Sequence, residues 1–141
     1  MIDVSQRQGT PERPGQGQAS PVRVLLVDDE EGFIAVLAKR LGKRGLTVRT
    51  ASGGGEAIRI LRRHDFDVAV LDLKLEDMDG IEILKVFKQM APDMPVIMLT
   101  GHGCEIAARE GLRLGAVDYL TKPCDFETLV RKITAVARAK E

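Results

Sequence analysis

Short, almost unbroken apolar runs recur along this chain, and a stretch with helical spacing follows each of them. Residues 22–28 (VRVLLVD) form the first run. Continuous rather than alternating apolarity marks a strand covered on both faces, as in a parallel sheet. Phe33, Val36, Leu37 and Leu41 then fall at helical spacing, and Gly45 suits the end of that helix. A second strand is predicted over 46–50, and Ser52 with the three glycines after it opens a helix carrying Ala57, Ile58 and Leu61. Residues 66–72 (FDVAVLD) repeat the run-then-acid pattern of the first strand. Ile81, Leu84, Val86 and Phe87 define a third helix, closed by Ala91 and Pro92. Next come a strand over 95–100 (PVIMLT), a helix over 106–114 ended by Gly115, and a strand over 117–121. A last helix over 126–139 carries Leu129, Val130, Ile133 and Val136 on one side.

Five strands alternating with five helices predict βαβ units and a parallel sheet with helices on both faces. With right-handed crossovers, the expected fold is the α/β, flavodoxin-like, doubly wound (βα)5 arrangement with strand order 2-1-3-4-5. The length of 141 residues fits one domain. Residues 1–20 depart from the pattern: Pro11, Pro14, Gln, Gly and Ser leave little to bury, so they are expected to be a flexible tail ahead of a domain at 21–141. Lys+Arg and Asp+Glu are both 21, so binding to nucleic acid through bulk positive charge is disfavoured. Two cysteines make no disulfide framework, no signal-peptide core precedes the domain, and no run reaches the 18 or so apolar residues of a membrane span. A cytoplasmic protein is expected.

Ligand sites on open parallel sheets lie outside the carboxyl ends of the strands, where the strand order reverses. Asp28, Asp29 and Glu30 follow strand one, Asp72 ends strand three, strand four brings Thr100 and strand five Lys122. Singly these are ordinary: an acid doublet is often a helix cap, and a Lys before Pro is usually a solvated charge. Together they bring several acids, one hydroxyl and one amine to a single rim. Carboxylates about 5 Å apart repel by about 3 kcal/mol per pair at an effective dielectric near 20. Such a cluster calls for a hard cation, for the Lys122 amine, or for a protonated acid. Mg²⁺, which takes one or two carboxylates with phosphate oxygens and water, suits it. No glycine-rich nucleotide loop occurs, and Gly53, Gly54 and Gly55 lack the following Lys. His64, His102, Cys104 and Cys124 fit no zinc spacing, which leaves the cysteines as small, partly buried side chains.

At this point the motifs resemble a known family, the response regulator receiver domain of two-component signalling. VRVLLVDDE is similar to its opening strand and acidic pair, VAVLDLKLEDMDGIE to its phosphoacceptor strand and loop, VIMLTGHG to its Thr strand, and GAVDYLTKPCDFETL to its Lys-Pro segment. The resemblance runs from about 21 to 140. It implies that Asp72 accepts a phosphoryl group from a sensor histidine kinase or a histidine phosphotransfer protein. It further implies Mg²⁺ (or Mn²⁺) held by Asp28, Asp29, Asp72 and the Lys74 carbonyl, with phosphoryl oxygens bound by Thr100 and Lys122. Tyr119 stands at the aromatic switch position, and the Lys122–Pro123 bond is cis in the family. One departure is Glu76, followed by Asp77, where the family usually has Pro; it bears on the rigidity and charge of that loop.

Lys74 and His102, two residues beyond Asp72 and Thr100, are expected to flank the water that hydrolyses the acyl phosphate and so to set its lifetime. Gly101 leaves that approach open. The output surface implied is helix four, strand five and helix five, where Arg109, Arg113, Arg131 and Lys132 point to an acidic protein partner. The expected product is a signalling module, not a multi-substrate turnover enzyme, working as a monomer or a phosphorylation-dependent homodimer without direct nucleic-acid or membrane binding. An adaptor on the same fold would lack site residues, and none is missing. A Mg²⁺-dependent phosphohydrolase usually carries a second Asp where this chain has Lys74. With helix five ending near Glu141, the expectation is a stand-alone receiver or a piece of a larger protein.

Overall fold

The computed structural model describes residues 20–139. All but Ser20 of the expected tail therefore lies outside the described residues. Ten elements follow in strict alternation: β1 (Arg23–Val27), α1 (Glu31–Lys43), β2 (Thr47–Ala51), α2 (Gly54–Arg63), β3 (Val68–Asp72), α3 (Gly80–Met90), β4 (Val96–Thr100), α4 (Glu105–Arg113), β5 (Asp118–Thr121) and α5 (Phe126–Ala139). All strand pairs are parallel, in the order β2-β1-β3-β4-β5. This is the flavodoxin-like doubly wound sheet predicted from the hydrophobic pattern.

The apolar runs are continuous because alternate residues feed two separate cores. Leu25, Val27, Ala69, Leu71, Val96 and Met98 pack with Ala57, Leu61, Ile83, Leu84 and Phe87 beneath α2 and α3. Val24, Leu26, Val68, Val70, Ile97 and Leu99 face the other way, against Ile34, Leu37 and Leu41 of α1 and Leu129, Val130 and Ile133 of α5. Every residue of β3 and β4 is buried, whereas the edge strands β2 and β5 are mostly open.

The predicted boundaries hold to within a residue or two, and the shifts have local causes. Leu46 is drawn out of β2 because its N–H donates to the Leu41 carbonyl and closes α1. Gly45 just before it sits at φ 89°, a left-handed conformation that costs glycine nothing. Gly115 ends the α4 segment the same way at φ 114°. β3 begins at Val68 because the Asp67 carboxylate turns aside to accept from the Arg23 backbone and guanidinium. Among the described residues, no helix is long and apolar enough to cross a membrane.

Candidate functional site

β1 and β3 lie side by side, and the order reversal around β1 opens a crevice at their carboxyl ends. Asp28 and Asp72 are buried there, and Asp29 is half-buried. Each of the three offers a carboxylate oxygen, and these oxygens lie within 4.8 Å of one another. The backbone fixes their orientation. Asp28 Oδ1 accepts from the Glu30 N–H at 2.9 Å, and Asp72 Oδ1 from the Lys74 N–H at 3.0 Å. Asp29 Oδ2 accepts from the Glu76 N–H at 2.9 Å.

Lys122 arrives from the segment after β5, held by its N–H donating to the Thr100 carbonyl at 2.6 Å, and its bond to Pro123 is cis. Its Nζ donates to Glu30 Oε1 at 2.7 Å, Asp28 Oδ2 at 3.0 Å and Asp72 Oδ2 at 3.4 Å. The ammonium also stands 4.7 Å from the centre of the Phe33 ring. Burial works against the charged Lys122, but the bonds from Glu30 and Asp28 and the charge of Asp72 outweigh it and raise its pKa. Burial is also what lifts the Asp72 carboxyl above its ordinary value, with the Asp28 charge adding to it; the Lys74 N–H and Lys122 oppose both. The crevice thus holds buried like charges tied together by one cation, a high-energy arrangement that a second cation relieves.

Thr100 is buried at the end of β4, and its hydroxyl donates to the Leu120 carbonyl at 3.4 Å, away from Asp72. Tyr119 pairs in register with Met98, and its side chain is turned outward, leaving the residue 41% exposed. Lys74 and His102 are exposed in the loops after β3 and β4, and Gly101 has nothing near its Cβ position.

Three contacts were not foreseen from sequence. Glu30 appeared there only as one more acid, not as a partner of Lys122. Phe33 was counted as core spacing, not as the aromatic face beneath the ammonium. Asp77 accepts from the N–H groups of Gly54 and Gly55 at 3.0 and 3.1 Å and so caps α2 from another loop. Those N–H groups hold its carboxyl below its usual range. The loop that lacks Pro at position 76 is therefore pinned by other means: the Glu76 N–H to Asp29, Asp77 to α2, and an antiparallel backbone β-bridge between Lys74 and Asp79.

Comparison with known proteins matches most of the chain. The model of the response regulator receiver domain matches residues 24–134. This chain belongs to that family. Among curated relatives, the transcriptional regulatory protein GlrR of Escherichia coli is 38% identical over 113 residues, covering 80% of this chain and 26% of GlrR. The photosynthetic apparatus regulatory protein RegA of Cereibacter sphaeroides is 38% identical over 112 residues, covering 79% of this chain and 61% of RegA. The receiver thus spans only part of the curated relatives it matches. A CheY-like receiver domain protein from Methanospirillum hungatei superposes with a TM-score of 0.82 at 30% identity, covering 86% of this chain and 97% of that one. A receiver domain protein from Clostridium thermocellum gives 0.81 at 33% identity, covering 84% and 96%.

Elsewhere the receiver revises one expectation. Of the four basic residues assigned to the α4–β5–α5 face, Arg113 is already paired with Glu110 at 2.7 Å and Lys132 with Asp118 at 2.6 Å. Arg131 donates to Thr128 Oγ1. Intrachain acids therefore neutralise half of that patch, and the large exposed apolar residues Ile106 and Tyr119 are the more distinctive features of the face. Cys104 and Cys124 are partly buried thiols, and burial pushes the Cys124 thiol up.

Proposed function

We propose that this receiver is a phosphorylation-switched signalling module that takes a phosphoryl group on Asp72 from the phosphohistidine of a sensor histidine kinase or a histidine phosphotransfer protein. The observation that carries this reading is the Asp72 carboxylate itself: buried, beside Asp28, and 3.4 Å from the Lys122 ammonium. An Asp72 carboxylate oxygen attacks phosphorus, the P–N bond of the donor breaks, and its imidazole leaves with the electron pair. An acyl phosphate on Asp72 results.

Asp28, Asp29, Asp72 and the Lys74 carbonyl would hold Mg²⁺ or Mn²⁺, because an all-oxygen donor set rich in carboxylates fits a hard divalent cation. Bound there, the ion supplies neutralisation of the phosphoryl oxygens. Lys122 is positively charged at neutral pH and faces the nucleophile, so it would donate to a phosphoryl oxygen once one of its present bonds yields. Thr100 can offer its hydroxyl once it leaves the Leu120 carbonyl. Lys74 and His102, exposed in the loops after β3 and β4, would govern how water reaches the acyl phosphate. Output passes through α4, β5 and α5 to a protein partner, with Tyr119 as the moving part.

Acetyl phosphate with Mg²⁺ should raise the intact mass by one phosphoryl group, and Asp72→Asn should abolish the gain. Labelling that persists in Asp72→Asn refutes the assignment.

A further inference from the structure

The Lys122 ammonium has three N–H donors, and all three are engaged. The distances rank them: Glu30 at 2.7 Å, Asp28 at 3.0 Å, Asp72 at 3.4 Å. A phosphoryl oxygen on Asp72 needs a donor from this saturated group, so one existing bond must yield or share. Asp28 cannot give way cheaply, because its side chain is fully buried and would be left as an uncompensated charge. Asp72 is the group that receives the phosphoryl. Glu30 is different: its side chain is 63% exposed, so water can replace Lys122 with little penalty.

The position of Glu30 on the chain sharpens the point. It is the N-cap residue of α1, a place where Ser, Thr, Asp or Asn usually bonds the first free N–H groups. Here the side chain makes no cap bond. It reaches instead across 92 residues of sequence to Lys122. The backbone of Glu30 serves the helix, with its carbonyl accepting from Ile34, and its carboxylate serves the site.

We infer that Glu30 is a positioning residue that competes with the phosphoryl group for Lys122, setting how readily this site takes up phosphate. The inference rests on Asp72 being the phosphoacceptor. In the resting state Glu30 holds the ammonium toward the rim; on phosphorylation it lets go and is hydrated. Replacing its carboxylate frees one N–H in advance.

The test is calorimetric titration with beryllofluoride, a phosphoryl mimic, at fixed Mg²⁺, alongside the rate of Asp72 labelling by acetyl phosphate. Glu30→Gln should bind beryllofluoride about two- to fivefold more tightly than wild type, the range for an exposed ion pair, with a parallel gain in labelling rate. Glu30→Ala should move the same way. Glu31→Gln removes the same charge one residue away, where no bond to Lys122 exists, and controls for general repulsion of anions. Tighter binding in Glu30→Gln but not in Glu31→Gln supports the inference. Equal gains in both variants overturn it, since bulk charge then explains the effect. Unchanged or weaker binding in Glu30→Gln overturns it too, the latter showing that Glu30 holds Lys122 in the productive place. A wild-type protein that binds no beryllofluoride and takes no label on Asp72 overturns the phosphoacceptor reading and this inference with it.

Discussion

At the β1–β3 end of the sheet rim the carboxylates are tied down by several short hydrogen bonds, whereas at the β4–β5 end the Thr100 hydroxyl and the Tyr119 ring are held loosely. Asp28, Asp29 and Asp72 each take a backbone N–H, Lys122 spans three carboxylates, and Asp77 ties the β3–α3 loop to α2. On the other side, the Thr100 hydroxyl makes a single long bond, Tyr119 stands outward, and Ile106 on α4 is 81% exposed. Phosphoryl transfer gains from groups held in place beforehand. Signalling needs an element with two arrangements of similar energy. On the proposed function, one rim would serve both because its two ends differ in how tightly they are bound.

The comparison breaks most visibly at its glycines. A Cβ on Gly80 would stand 2.5 Å from both the Cα and the carbonyl oxygen of Leu73, just after β3. Both are backbone atoms and cannot swing aside, so Gly80→Ala should lose about 3 kcal/mol of stability. A Cβ on Gly101, after β4, meets nothing within 4 Å. Gly101→Ala should stay within about 0.5 kcal/mol of wild type. Chemical denaturation of the two variants measures the contrast directly, and equal losses would remove the claim that one end is rigid and the other loose.

Those two glycines also mark what could be read from sequence and what could not. Strands and helices were legible because each apolar run feeds both cores, so its period and length report directly on burial. The rim acids, Thr100 and Lys122 were legible because strand ends in a parallel sheet converge whatever the loops do. Gly80 was not, since its need for a missing Cβ arises from a contact with Leu73 that no local pattern encodes. Glu30 and Asp77 escaped for a related reason. Their partners, Lys122 and the N–H groups of Gly54 and Gly55, lie 92, 23 and 22 residues away. An acid in a loop reads the same whether it is solvated or is the cap of a distant helix.

Asp77 gives the next test, of intermediate size. Asp77→Ala removes the α2 cap and should cost about 1 kcal/mol at neutral pH. Its carboxyl lies below the ordinary value in the folded protein, so the native state binds the proton less readily than the unfolded chain does. Its contribution is then fully present above the unfolded value of about 3.9 and is lost as pH falls through the lower folded value. The stability gap between wild type and Asp77→Ala should therefore be widest at pH 7 and close as the pH drops below about 4. A gap that stays constant down to pH 3 would mean that the cap works through its shape and not its charge.

The smallest effect on the resting protein belongs to Thr100, yet it should decide whether the loose end switches. Its hydroxyl reaches the Leu120 carbonyl at 3.4 Å, a long and weak bond, so Thr100→Val, which keeps the shape, should change stability by less than about 1 kcal/mol. A phosphoryl group adds about −1.5 to −2 charge and three acceptor oxygens to the rim. Taking the Thr100 hydroxyl toward one of them empties space behind β4, next to the strand that carries Tyr119. Moving a two-state element from 1:99 to 99:1 requires about 5.5 kcal/mol, which two or three charge-assisted hydrogen bonds at about 1.5–3 kcal/mol each can supply. With the hydroxyl gone, one of those bonds is lost and the ring has no reason to turn inward. NMR shifts induced by beryllofluoride in wild type should therefore spread from the Asp72 loop into residues 104–120. In Thr100→Val they should persist around Asp72 and shrink over 104–120, to about 40% of the wild-type size where the lost bond is worth about 3 kcal/mol and to about 90% where it is worth about 1.5. Shifts of equal size over 104–120 in both proteins would show that the signal leaves the site by a route other than Thr100 and Tyr119.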